Sequence, residues 1–168
     1  MSLVFRLATS LDAPNIAALH AHSWQENYRG TFSDHYLDHE AHDERLATWT
    51  KRLHSPPDKQ WVLLVEEDNE LLGFVCVYLD RDEQWGSLLD NLHVKGNHKG
   101  KGIGRQLFDQ ARDWINSQRP GQPFYLFVLV GNDRAITVYE KWGGQRIEKV
   151  LDKEPDGSEL EVYRYVWP

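Results

Sequence analysis

The segment of this chain best equipped for chemistry is Lys99-Gly100-Lys101-Gly102-Ile103-Gly104-Arg105. Alternating glycines let the backbone come close to a ligand. The residues that follow have helical periodicity, with Ile103, Leu107, Ala111, Trp114 and Ile115 on one face. A glycine turn that opens a helix points unsatisfied N–H groups outward, which makes an anion site. Lys99, Lys101 and Arg105 add positive charge, so a ligand with two or more phosphates suits it. Two common phosphate loops do not fit. A Walker loop needs four residues before Gly-Lys-Ser/Thr. Here only Asn97, His98 and Lys99 separate Gly96 from Gly100-Lys101, and Gly102 stands where the magnesium-binding hydroxyl belongs. A dinucleotide fingerprint needs Gly-x-Gly-x-x-Gly early in a βαβ unit. The spacing here is Gly-x-Gly-x-Gly, late in the chain.

A second constellation lies downstream, Asn132-Asp133-Arg134-Ala135-Ile136-Thr137-Val138-Tyr139-Glu140-Lys141-Trp142-Gly143-Gly144. A third lies upstream, where Ser23-Trp24-Gln25-Glu26-Asn27-Tyr28-Arg29-Gly30 is aromatic-rich and broken by glycine. The first of the three resembles the (Arg or Gln)-x-x-Gly-x-(Gly or Ala) loop of the Gcn5-related N-acetyltransferases (GNAT), with Lys99 departing at the first position. The second resembles that family's Asn-x-x-Ala-x-x-x-Tyr-x-x-x-Gly-Phe segment. Its departure is Gly144, which stands where Phe is usual, with Trp142 available to fill part of the space. The third resembles the Ser-Trp-x-x-x-Tyr-x-Gly stretch of one branch of the family.

The resemblance implies acetyl-CoA as acetyl donor and an amine as acceptor. It places the pyrophosphate on Lys99, Gly100, Lys101, Gly102, Ile103, Gly104 and Arg105. Pantetheine and thioester would lie along Leu92, His93 and Val94. Asn132 would contact coenzyme A, and it is also a good helix cap. Trp24 and Tyr28 would border the acceptor site, and packing is the other reading for both.

Acetyl transfer to an amine has three demands. An alkylammonium, with a pKa of about 10, must lose a proton before its nitrogen can attack. The carbonyl oxygen must be stabilised as it gains charge. The departing thiolate benefits from a proton. Tyr139 matches the family tyrosine able to give that proton, and packing against the core is its alternative. For the base, Asp90 is the first candidate and Glu83 the second. The pKa of His93 suits the task, but alternation puts it on the face opposite Leu92 and Val94. Asp90, Leu92 and Val94 share a face if the strand is regular, and a bulge would break that inference. A base acting through water is a further route. A non-catalytic acyl-CoA sensor on the same fold is the alternative function, and an ATP-binding protein is a third reading.

The elements that must position these residues are legible in order. Strands are expected at 4–8, 61–66, 71–79, 85–94, 124–130, 145–151 and 160–167. The run at 124–130 is apolar almost throughout, as in a strand buried on both faces. Helices are expected after Asp12, read as a cap with Pro14 behind it, over 41–54, from the glycine loop onward, and from Asn132 to Gly143-Gly144. Pro155-Asp156-Gly157 reads as a turn. The fold class is therefore α/β, a single GNAT-like domain over 1–168, with a mixed, mostly antiparallel sheet of about seven strands flanked by about four helices.

Size and composition bound the rest. The 168 residues, with seven Trp and seven Tyr, suffice for one packed core. A net charge of −7 argues against nucleic-acid binding. No apolar run approaches the roughly 20 residues that span a membrane. Cys76, the single cysteine, sits in an apolar run and reads as a buried thiol. With no visible signal peptide, it points to the cytoplasm. His35, His39 and His42 could share a helix face, but no cysteine joins them, so no metal is expected. The acceptor reads as a small-molecule or peptide amine, and the assembly as a monomer or homodimer.

Overall fold

The computed structural model describes residues 2–154 and 156–168; Pro155, part of the expected turn, lies outside them. Seven strands form one sheet in the order β1-β2-β3-β4-β5-β7-β6. They are β1 (Val4–Leu7), β2 (Gln60–Glu67), β3 (Glu70–Asp82), β4 (Gly86–Val94), β5 (Phe124–Leu129), β6 (Gln145–Lys153) and β7 (Glu159–Trp167). Among the described residues only the β4–β5 pair of strands is parallel; the other neighbours run antiparallel. Four helices flank the sheet: α1 (Ala13–Asn27), α2 (Ala41–His54), α3 (Ile103–Gln118) and α4 (Asp133–Lys141).

The sheet has a core on each face. The amphipathic stripe of α3, Ile103, Leu107, Phe108, Ala111 and Ile115, packs on Val75, Val77, Leu126, Val128, Tyr165 and Trp167. Ala135, Ile136, Tyr139 and Trp142 of α4 pack on the edge of the same cluster. On the opposite face, Ile16, Ala17 and Trp49 of α1 and α2 cover Val62, Leu64, Phe74, Cys76 and Leu88. Both faces of the central strands are thus apolar, which is why they read as near-continuous hydrophobic runs.

Four local features differ from expectation, each for a physical reason. Strand β3 continues to Asp82, because Asp82 still pairs with Gly86 across the charged connection. Asp12 does not cap α1 with its side chain. Its carboxylate instead takes the Arg6 guanidinium (2.8 and 2.9 Å) and the Thr9 backbone N–H (2.7 Å), anchoring the short 3-10 turn ahead of α1. Trp24 lies within α1 rather than beyond it, because it buries its ring against Phe32 and Tyr36. A π-helical turn, Tyr36–Glu40, then leads directly into α2.

The fourth feature shapes the site. On β3, Cys76 pairs with Asn91 and the next residue, Val77, pairs with Leu89. Asp90 is therefore an extra residue on β4, a bulge that bends the strand. Strands β4 and β5 pair only at Ser87↔Phe124 and Leu88↔Tyr125, then part. Beyond the fork, the facing edges of both strands are left without a sheet partner between them.

Candidate active site

The fork opens into a cavity of about 560 Å³. Its floor is β4 from Leu88 to Val94 and β5 from Leu126 to Leu129, and α4 forms one wall through Asn132, Ala135 and Tyr139. Trp24, Tyr28 and Phe32 form another wall, and the end of β6 with Glu154 closes that side. The parted strands supply backbone N–H and C=O groups to whatever enters, the usual way an irregular strand edge recognises an extended ligand.

Where β4 ends, Lys95 leads through a 3-10 turn at Gly96–His98 to the glycine loop. Gly102 is the N-cap of α3 at φ +80°, and Gly100 sits at φ +81°. A Cβ at either would have strained backbone but open space, with no atom within 4 Å. The first bond inside the helix is Gln106 N–H to Gly102 O, so the N–H groups of Ile103, Gly104 and Arg105 remain free by helix geometry. Open space before free N–H groups fits the phosphates of a coenzyme A-type ligand.

The loop cations divide. Lys99 lines the cavity, with its Nζ 3.4 Å from Asn27 Oδ1. Lys101 is exposed outside it. Arg105 turns back along its helix, where its Nε donates to both Asp109 carboxylate oxygens at 3.0 Å. Its guanidinium lies 5.4 Å from the Trp142 ring centroid.

The bulge separates Asp90 from the two residues expected to share its face. Leu92 and Val94 pack toward α3. Asp90 instead faces α2, where Arg52 reaches it at 3.4 Å, while Arg52 Nη1 also donates to Asn91 Oδ1 at 3.2 Å. Its side chain keeps 29% exposure and lines the cavity. Burial raises the Asp90 pKa, and Arg52 opposes the shift. Glu83 is exposed in the β3–β4 turn, at the opposite end of β4 from the glycine loop, and takes no part in the cavity.

His93 points to the α1 face, as alternation requires, yet it borders the cavity because the fork opens to both faces. Its Nδ1 is 2.9 Å from Ser23 Oγ, and burial, with Lys99 and Arg45 nearby, pushes its pKa down to about 4. It is a neutral imidazole near pH 7. Behind it lies His20, fully buried on α1 rather than at the surface. Trp49 Nε1 donates to His20 Nδ1 at 3.0 Å, and the two histidine rings stand 4.5 Å apart. Among the described residues His20 Nε2 has no partner, and burial lowers the pKa. The available signal was the position of His20 between Ile16 and Trp24 on the inward stripe of α1.

Tyr139 faces the cavity from α4, held edge-on by Trp142 (5.6 Å) and Trp167 (6.1 Å). Burial, then the neighbouring Tyr28, raises its pKa, so it keeps its proton across the physiological range. Asn132 caps α4 by accepting from Ala135 N–H at 3.3 Å and lines the cavity as well. The space left by Gly144 is taken by Trp167 rather than Trp142. A Cβ on Gly144 would lie 2.7 Å from Trp167 Cζ2, and Trp167 Nε1 donates to Trp142 O at 3.0 Å.

Trp24 is 8% exposed, with the Arg45 guanidinium 4.6 Å from its ring centroid. Tyr28 borders the cavity, and burial, with Glu154 nearby, pushes its hydroxyl up to about 12. Arg45, Arg52, Asp152 and Glu154 also line the cavity and were not singled out from the sequence. Among the described residues no group of three His, Cys, Asp or Glu side chains could hold a metal ion, and no helix is long and apolar enough to cross a membrane.

Comparison with known proteins gives a consistent picture. The sequence pattern of the acetyltransferase (GNAT) family matches residues 16–144. Spermidine N(1)-acetyltransferase of Vibrio cholerae serotype O1 is 27% identical over 109 residues, which is 62% of this chain and 60% of that protein. The aligned stretch thus spans about three-fifths of that relative's length. Among solved structures, the PaiA N-acetyltransferase of Thermoplasma acidophilum, in complex with coenzyme A, superposes with a TM-score of 0.71 at 20% identity, covering 97% of this chain and 98% of that one. A GCN5-related N-acetyltransferase of Rhodopseudomonas palustris gives a TM-score of 0.76 at 17% identity over 99% and 95%. At these identities the structural likeness establishes the fold.

Proposed function

The chain belongs to the acetyltransferase (GNAT) family, and from that premise we propose that it moves an acetyl group from acetyl-CoA to a primary amine by direct attack. The observation that carries this reading is the fork between β4 and β5, open between the start of α3 and Tyr139. The glycine loop would hold the pyrophosphate, and Leu92, His93 and Val94 the pantetheine arm. Lys99 adds charge at the mouth; Lys101 and Arg105 act at longer range from outside it. Acetyl-CoA would supply an activated thioester carbonyl, and the chain's own groups orient it and manage protons. Tyr139, which faces the cavity and keeps its proton, would donate to the departing sulfur.

The acceptor end supports a small cationic amine. Trp24, Tyr28 and Phe32 line that end, and Asp152 and Glu154 add carboxylates there, while the nearby Arg45 and Arg52 are already paired with Glu44 and Asp90. The Vibrio cholerae relative named for spermidine makes polyamines the first acceptors to try. The test is thiol release from acetyl-CoA with spermidine and simple primary amines. Tyr139→Phe should lower kcat by about 10²-fold and leave acetyl-CoA affinity unchanged. Unchanged kcat would remove Tyr139 from the chemistry, and binding without release of thiol on any amine would favour a sensor.

A further inference from the structure

Every amine acetyltransfer needs a destination for the ammonium proton, and the residues that border this cavity do not offer it equally. Asp90 is already paired with Arg52. His93 is neutral and its Nδ1 is engaged by Ser23. Glu154 differs from both. It lies ten residues beyond the stretch matched by the family pattern and outside all three motifs. Its half-buried side chain borders the cavity with Tyr28, Trp24 and Tyr139, and among the described residues it has no hydrogen-bond donor and no ion-pair partner. A partly desolvated carboxylate without a partner is unfavourable alone and becomes favourable when a cation arrives.

The main chain at Glu154 is held by the turn that follows it. Glu154 N–H donates to Ser158 O at 2.8 Å, and Gly157 N–H donates to Glu154 O at 2.9 Å. The Asp156 carboxylate accepts from Ser158 N–H at 2.9 Å, and Leu160 packs on the Trp24–Phe32–Tyr36 cluster. The turn between β6 and β7 is therefore tied to the aromatic wall.

We propose that Glu154 holds the acceptor's ammonium group against Trp24 and Tyr28 and takes the proton that it must lose. This rests on the acetyltransferase reading given above. Glu154 carboxylate accepts one proton from R–NH₃⁺, and the freed lone pair forms the C–N bond at the thioester carbonyl carbon. The C–S bond breaks with its electron pair on sulfur, which gains a proton from the Tyr139 hydroxyl. The nitrogen loses its second proton as the amide forms, and that proton restores Tyr139. Glu154 releases its own to solvent. The net products are amide, free thiol and one proton.

The electrostatics agree with the geometry. Burial first, then Asp152 and Asp156, push the Glu154 carboxyl up to about 7, with Arg45 opposing. The other charged or titratable groups around the cavity are Arg52 on α2, Tyr28 after α1, Asp90 and His93 on β4, Lys99 before α3, Arg134 and Tyr139 on α4, and Lys153 on β6. A base near neutrality is better matched to an amine than an ordinary carboxylate.

The experiment compares wild type, Glu154→Gln and Glu154→Asp with acetyl-CoA and spermidine from pH 5.5 to 9, beside thermal melts with acetyl-CoA alone. Glu154→Gln should lose about 10²-fold in kcat/KM at pH 7 and lose the acidic limb, with an unchanged acetyl-CoA shift. Glu154→Asp should keep the limb at a reduced rate. Wild-type kcat/KM with an intact limb in Glu154→Gln overturns the proposal. If wild type releases no thiol with spermidine, that counts against the acceptor reading, and a second measurement decides Glu154 alone. In ¹³C-glutamate-labelled protein without cofactor, one carboxyl should titrate near neutrality, vanish in Glu154→Gln and move to lower pH with spermidine. A Glu154 carboxyl titrating near the ordinary value of about 4.3 and indifferent to spermidine overturns the proposal.

Discussion

Gly102 and Gly104 are two residues apart in one loop, and replacing each by alanine should have opposite consequences. Gly102 sits at φ +80°, where a side chain strains the backbone by about 1–2 kcal/mol. For a chain of this length each kcal/mol is about 2–4 °C in Tm, so Gly102→Ala should melt about 2–8 °C lower. Gly104 has ordinary helical backbone, and its Cβ would meet Val94 Cγ2 at 3.6 Å and Trp142 Cη2 at 4.0 Å, both normal contacts directed into the protein. Alanine there should be neutral or raise stability by up to about 1 kcal/mol. The ligand response separates them further. Acetyl-CoA at 100 times Kd adds about 2.7 kcal/mol, and a tenfold loss of affinity at the same concentration leaves about 1.4 kcal/mol. The ligand-induced shift of Gly102→Ala should therefore fall to about half or less, because its Cβ enters the open space before the helix. Gly104→Ala should keep the wild-type shift. Thermal melts with and without acetyl-CoA read both. Gly102→Ala with wild-type Tm and wild-type ligand shift would contradict both the strain at this position and the placement of the ligand before α3.

Three further outcomes follow from particular contacts. Gly144→Ala would place a methyl 2.7 Å from Trp167 and 3.0 Å from Tyr139 O, so it should cost about 1–3 kcal/mol and lower kcat through displacement of α4; thermal melts and turnover check this, and normal values for both would contradict it. Arg6 holds the Asp12 carboxylate below its ordinary value, so the contribution of Asp12 is complete above pH about 3.9 and is lost as pH falls through the depressed folded value. Asp12→Asn should therefore be less stable at pH 6 and show a flatter Tm between pH 5 and 2.5; a parallel pair of curves would contradict it. Cys76 is buried, with its thiol pushed up to about 12, so an aromatic disulfide reagent should label native protein at least about 10²-fold more slowly than denatured protein. Equal rates would contradict the buried placement.

The pattern of strands and helices was legible because its signals are local. Apolar alternation, an amphipathic stripe from Ile103 to Ile115 and the Asn132 cap each depend on neighbours in sequence. What escaped depends on distant partners. The bulge at Asp90 exists only in pairing with Cys76 and Val77, so the condition under which Asp90 would share a face with Leu92 and Val94, a regular strand, is not met. Lys99, Lys101 and Arg105 are equivalent as cations in sequence, but Asp109 and Trp142 draw Arg105 away from the cavity. Asp12 looked like a cap and became an ion-pair partner because β1 brings Arg6 to it. Glu154 carried no signal at all. It is one carboxylate in a polar turn, and only the return of β7 beside the aromatic cluster gives it a place in the cavity.

The proposed function requires that acetyl-CoA lie in the fork between β4 and β5 with its pyrophosphate at the start of α3. Amide hydrogen exchange with and without acetyl-CoA, beside ATP and NAD, tests it most directly. Acetyl-CoA alone should slow exchange at residues 91–94 and 101–105 while the β1–β2 edge is unchanged. Protection of the glycine loop by ATP or NAD without acetyl-CoA, or protection by acetyl-CoA that leaves residues 91–94 untouched, would contradict it.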